Sequence, residues 1–173
     1  MKVQQAVQQQ LGFWHGTLES MMGECGDILH KTVPNSTTNT IAATYAHTVL
    51  AEDTILQARL RGGQPLFQSG GWEGKTGVPF PGVPPMMTPE WAAKIKMELA
   101  PFQEYAKAVY KATDEYLASV PDAELDRTLE GPPPLGPQTV GWYLATLLAT
   151  HVPQHAGEIA ALKGVHGMKG LPF

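Results

Sequence analysis

His151 and His155 stand four residues apart in a stretch with helical periodicity, so both rings project from one face. Two imidazoles at that spacing can share one metal ion if another helix supplies a third ligand. Both belong to an apolar stripe with Leu144, Leu148, Ile159 and Leu162. A buried histidine needs hydrogen-bond partners, and two stacked together need them twice. A bound cation satisfies both at once; two core histidines bonded to protein groups are the alternative. His47, among Ala43, Ala46 and Leu50, is the third candidate ligand. Its small neighbours let helices approach and leave room for an ion, although a lone half-buried histidine fits the pattern at least as well. Pro153, between the paired histidines, removes a backbone hydrogen bond and is expected to bend the helix.

The other reactive side chains offer less. His15, His30 and His166 fall near helix ends or in the Gly-rich tail. Cys25 lies on an apolar stripe and reads as an inert core thiol. Glu52 and Asp53 can reach a metal or pair with Arg59 or Arg61, but a solvated helix face is their default. Glu52 and Glu158 are the conceivable general bases. A di-iron site of the ferritin type needs more carboxylates than are placed here. No phosphate loop, dinucleotide fingerprint, CxxC or nucleophile elbow occurs.

Four helical segments must position these residues. The first, Val3 to Lys31, carries Val7, Leu11, Trp14, Leu18, Met21, Cys25 and Ile28 at spacings of three and four, weakened by Gly12, Gly16, Gly23 and Gly26. A short loop then makes helices one and two antiparallel neighbours. The second, Asn39 to Arg61, is apolar around much of its circumference and stops at Gly62-Gly63. The third starts with Thr88 as N-cap, Pro89 and Glu90, carries Trp91, Ile95, Phe102, Tyr105, Val109 and Leu117, and is expected to kink at Pro101. The fourth runs from Gln138 to Lys163.

The 173 residues include 18 Gly and 15 Pro, an excess that would ordinarily argue for loops. Position resolves it. Residues 62–89 hold seven Gly and six Pro, and residues 131–137 hold two Gly and four Pro. The breakers mark connections, and the longer one is a crossover, a lid, or both. The composition therefore suits an all-α, single-domain four-helix bundle spanning residues 1–173. A net charge of −4 gives no basic footprint for nucleic acid. A single cysteine, a polar N-terminus and no apolar run of membrane length lead to the expectation of a cytoplasmic protein, with neither nucleic acid nor membrane as partner.

The run Ala46-His47-Thr48-Val49-Leu50-Ala51-Glu52-Asp53, then His151-x-x-x-His155-Ala156-Gly157-Glu158-Ile159 and the tail Lys169-Gly170-Leu171-Pro172-Phe173, resembles the DinB/YfiT-like superfamily over nearly the whole chain. The resemblance implies a four-helix bundle of up-down-down-up order with the long crossover between helices two and three. It implies a divalent metal, commonly nickel or zinc, held by three histidines matching His47, His151 and His155. Characterised relatives are thiol-dependent transferases and isomerases using mycothiol or bacillithiol, so a low-molecular-weight thiol is the expected kind of small-molecule substrate. Homodimerisation is expected at the family level, and a non-catalytic metal- or ligand-binding stress-response bundle is the alternative. The family's His-Arg-Gly-Gln run is His155-Ala156-Gly157-Glu158 here, so a substrate contact made through that Arg is missing.

Overall fold

A computed structural model describes residues 1–131 and 135–173; three prolines of the 131–137 stretch lie outside the described residues. The chain is mostly helical, with four long helices. Helix α1 spans Val3–Gly23 and buries Val7, Leu11, Leu18 and Met21. It ends earlier than the stripe predicts: past Gly23 only a single 3-10 turn forms, Gly26–Ile28. Two glycines within four residues remove the propensity that would have carried the helix to Lys31.

Helix α2 spans Ile41–Asp53, with the Thr40 hydroxyl accepting from the Ala43 amide as its cap. It continues as a π-helical turn over Thr54–Leu60 and stops before Gly62, whose φ is +67°. Twelve of the thirteen α2 residues are buried, which is why its periodicity named no core face. The exception is His47.

The Thr88-Pro89-Glu90 signal is real but opens only one turn, Pro89–Ala92, with the Thr88 hydroxyl capping the Trp91 amide. The long helix α3 starts later, at Leu99–Ser119. Pro101 therefore sits in its first turn, where an N–H would have no intrahelical partner, and the expected kink has no cause. The chain between the two is held by the linker: the Lys96 amide donates to the Gly77 carbonyl and the Glu98 amide to the Thr76 carbonyl. A Cβ at Gly77 (φ +66°) would collide with the Lys96 carbonyl, so the position requires glycine.

Helix α4 spans Ala149–Val165, preceded by a helical turn at Val140–Trp142 and a second π-helical turn over Tyr143–Leu148. The approach to α4 adds a minor non-helical feature, an antiparallel pair of Thr128–Leu129 with Gln138–Thr139.

The closest packing sets α1 and α2 each against both α3 and α4. The short loop thus does not make α1 and α2 each other's closest partners; side chains bridge them instead, Tyr45 to Glu19 and Glu52 to His15. The α1–α4 contact is tied at both ends, by Gln10 to the Ala149 carbonyl and by the buried Lys163 ammonium to Glu24 and the Met21 carbonyl. The 62–87 linker is folded onto this frame. The Asp53 carboxylate accepts from the Leu66 and Phe67 amides and from the Tyr105 hydroxyl, and Phe67 is fully buried against Phe80 and Tyr105.

Candidate metal centre

His47 comes from the middle of α2, and His151 and His155 from successive turns of α4. The alanines around His47 are buried, and they let α2 lie close against α4. The His47 and His151 Nε2 atoms are 3.2 Å apart, and those of His151 and His155 are 3.1 Å apart. One nitrogen from each ring lies within 4.8 Å of the others. A tetrahedral ion with bonds of about 2.0–2.1 Å sets its nitrogen ligands about 3.3–3.4 Å apart, close to what is seen.

Proton counting sharpens this fit. The His155 Nδ1 faces a Glu158 carboxylate oxygen at 2.8 Å, and a carboxylate only accepts, so Nδ1 carries the proton. The neutral ring then presents a lone pair at Nε2. His151 Nε2 faces that lone pair and His47 Nε2 together, yet a ring nitrogen offers one proton or one lone pair. Three inward nitrogens cannot all be well satisfied by one another as neutral rings. A divalent cation accepting three lone pairs satisfies them all, and Glu158 then orients His155 from outside, as carboxylates do for metal-bound imidazoles.

The surroundings keep the rings neutral. Burial, reinforced by His155, pushes the pKa of His47 down to about 4, with Glu158 and the Pro85 carbonyl pulling the other way. Burial and the two neighbouring rings push His151 down to about 3. Neutral imidazole is the ligand form. Pro153 keeps its place within α4, and the Ala149 carbonyl that lacks its amide partner accepts from the Gln10 side chain at 2.8 Å. Glutamine on α1 thus compensates for the proline between the two ligands.

One cavity borders the cluster at His151, and a second reaches Glu158, the partner of His155. The first, of about 560 Å³, is bounded by Thr54, Ile55 and Arg59 of the first π-helical turn, Tyr143 and Leu147 of the second, the Val83–Pro85 segment and His151. The other, of about 370 Å³, has Glu158 as its one charged wall residue among the described residues, with Thr44, Met87 and Leu162. π-Helical turns are uncommon and gather at functional sites; here both flank the same cavity.

These features fit one known family. A model of the DinB superfamily matches residues 14–159. The chain belongs to the DinB superfamily. A crystal structure of a conserved protein from Enterococcus faecalis shares this DinB fold, with a TM-score of 0.79 at 22% identity, covering 95% of this chain and 97% of that one. No curated protein matches the chain. No described helix is long and apolar enough to cross a membrane.

The remaining candidates of this DinB chain take other places. Glu52 and Asp53 are buried rather than solvated, and neither pairs with Arg59 or Arg61. Glu52 accepts from the Thr113 hydroxyl at 2.6 Å and meets His15 Nε2 at 2.8 Å. It is committed to that network. Burial pushes the Asp53 carboxyl pKa up while its three hydrogen bonds pull it down. Cys25 is buried with its thiol against the Met21 carbonyl, and burial raises its pKa. His30 contacts the Met97 carbonyl. Sequence reasoning passed over Thr54, Arg59 and Tyr143, which line the cavity beside His151 from two π-helical turns that shift the register.

Proposed function

We propose that this DinB protein is a divalent-metal enzyme of the thiol-dependent S-transferase or isomerase type, with nickel or zinc held by His47, His151 and His155. The convergence of three Nε2 atoms beside a 560 Å³ cavity carries the reading. Three neutral ligands leave one coordination position open, and bound there the cation would lower the pKa of a substrate thiol or water. The chain's own part is to hold the rings neutral, to keep the His155 proton on Nδ1 through Glu158, and to exclude bulk water with the cavity wall. The lower-charge inventory of that wall favours a small organic substrate, a low-molecular-weight thiol being the proposed nucleophile. Gln10–Ala149 and Glu24–Lys163 support α1 and α4 running the same way, and Tyr45–Glu19 with Glu52–His15 support α2 running opposite to α1. The packing of Tyr45 on Phe102 and the Thr113–Glu52 hydrogen bond support α3 running with α2. These pairs favour an up-down-down-up four-helix bundle with residues 62–87 as the crossover. A cytoplasmic homodimer is the proposed setting.

The test is conjugation of an electrophile with a panel of low-molecular-weight thiols, run on metal-loaded and chelator-stripped protein. Turnover that disappears on stripping and returns with nickel or zinc supports the enzyme. Stoichiometric metal without turnover by any thiol would favour a metal-binding stress-response bundle.

A further inference from the structure

The larger cavity is unequal in its chemistry. Ile55, Val83 and Leu147 make most of its wall apolar, and Arg59 is the one charged residue on it among the described residues. The Arg59 guanidinium lies 5.8 Å from the centre of the Tyr143 ring. Among the described residues no carboxylate pairs with it, whereas Arg127, for comparison, is held by Glu124. An unpaired cation on an apolar wall describes a ligand with an anionic head and an apolar body.

We infer that this cavity binds a small apolar carboxylate, with Arg59 holding the carboxylate and the apolar body lying between Ile55 and Leu147 toward His151. As the electrophilic substrate of the metal centre, such a ligand would place its reactive carbon at the His151 end; that role rests on the enzyme reading above, but the binding itself does not. The size suits it: ligand cavities run from about 300 to 1,000 Å³. Arginine suits it too, because its planar donors match a carboxylate in a two-point contact.

Calorimetric titration of octanoate against octanol, with octylamine as the charge-reversed control, tests the assignment. The protein is used as purified and again after chelator dialysis, so that the result stands whether or not metal is present. Octanoate is expected to bind about tenfold more tightly than octanol in both forms, with octylamine weakest. Arg59→Gln, at an exposed side chain, should bring octanoate down to octanol, and Leu147→Trp should weaken both by filling the cavity. Equal binding of acid and alcohol, or an acid preference that survives Arg59→Gln, overturns the proposal. So does a preference lost on chelator dialysis alone, since the metal would then be the anion's partner. Wild-type affinity in a folded Leu147→Trp chain overturns it as well, by placing the ligand elsewhere.

Discussion

Two histidine clusters lie between the helices of this protein, and they are built in opposite ways. Around His15, every inward polar group has a protein partner: Glu52 takes His15 and the Thr113 hydroxyl, and the His15 ring stacks on Tyr110 at 3.8 Å. Next to it, Glu19 accepts from Tyr45, Tyr110 and Gln103. Around His47, three rings turn their nitrogens toward one another, and one carboxylate supports them from outside. A polar cluster completed by the protein fixes the packing of α1 on α2 and α3. A cluster left incomplete by the protein is shaped for something else. Residue type does not separate the two, since both are histidine and glutamate; the partner inventory does.

The comparison can be broken most decisively at His151. Elemental analysis of the wild type should find about one divalent ion per chain, and His151→Ala should hold only trace metal, because two histidines cannot close the site. Equal metal in both would remove the distinction. Glu52→Ala should do the reverse: leaving His15 buried without its partner costs about 3 kcal/mol of stability by denaturant unfolding, while the metal content of the folded protein is unchanged. Loss of metal in that variant would join the two clusters functionally. Glu158→Ala should act between these extremes, weakening metal affinity by about 10- to 100-fold in competition with a chelator dye, with Glu158→Gln nearer the wild type.

A pH effect should also mark the incomplete cluster. In metal-free protein His47 and His151 are held at about 4 and about 3, below the ordinary 6.5. From pH 6.5 downward the unfolded chain takes up protons that the folded chain refuses. Stability is therefore full above about pH 6.5 and is lost toward pH 4, by about 1 kcal/mol per histidine per pH unit. Thermal melts of the metal-free wild type should show this slope between pH 6.5 and 5, and His151→Ala should flatten it. The smallest effect is expected at Gln10→Ala, about 1 kcal/mol, from loss of the hydrogen bond to the Ala149 carbonyl.

Much of the site was legible before any coordinates. The spacing of four placed His151 and His155 on one face, and the alanines around His47 marked where a helix could come close. Legibility failed where a residue's meaning depends on another helix. Glu52 looks like any solvated helix acid until α1 and α3 bring His15 and Thr113 to it. Pro153 looks like a kink until Gln10 reaches the Ala149 carbonyl. Thr54, Arg59 and Tyr143 converge only because two π-helical turns alter the 3.6-residue register on which the stripes were read.

The sequence by itself determined the helical segments, the places where glycine and proline interrupt them, and the histidines able to share an ion. Those properties are local: propensity and same-face spacing act within about one turn. Only the tertiary structure decided which histidine cluster the protein completes and which it leaves open. That depends on donors and acceptors brought together from four helices, and a buried polar group is counted as satisfied or orphaned only after the chain has packed.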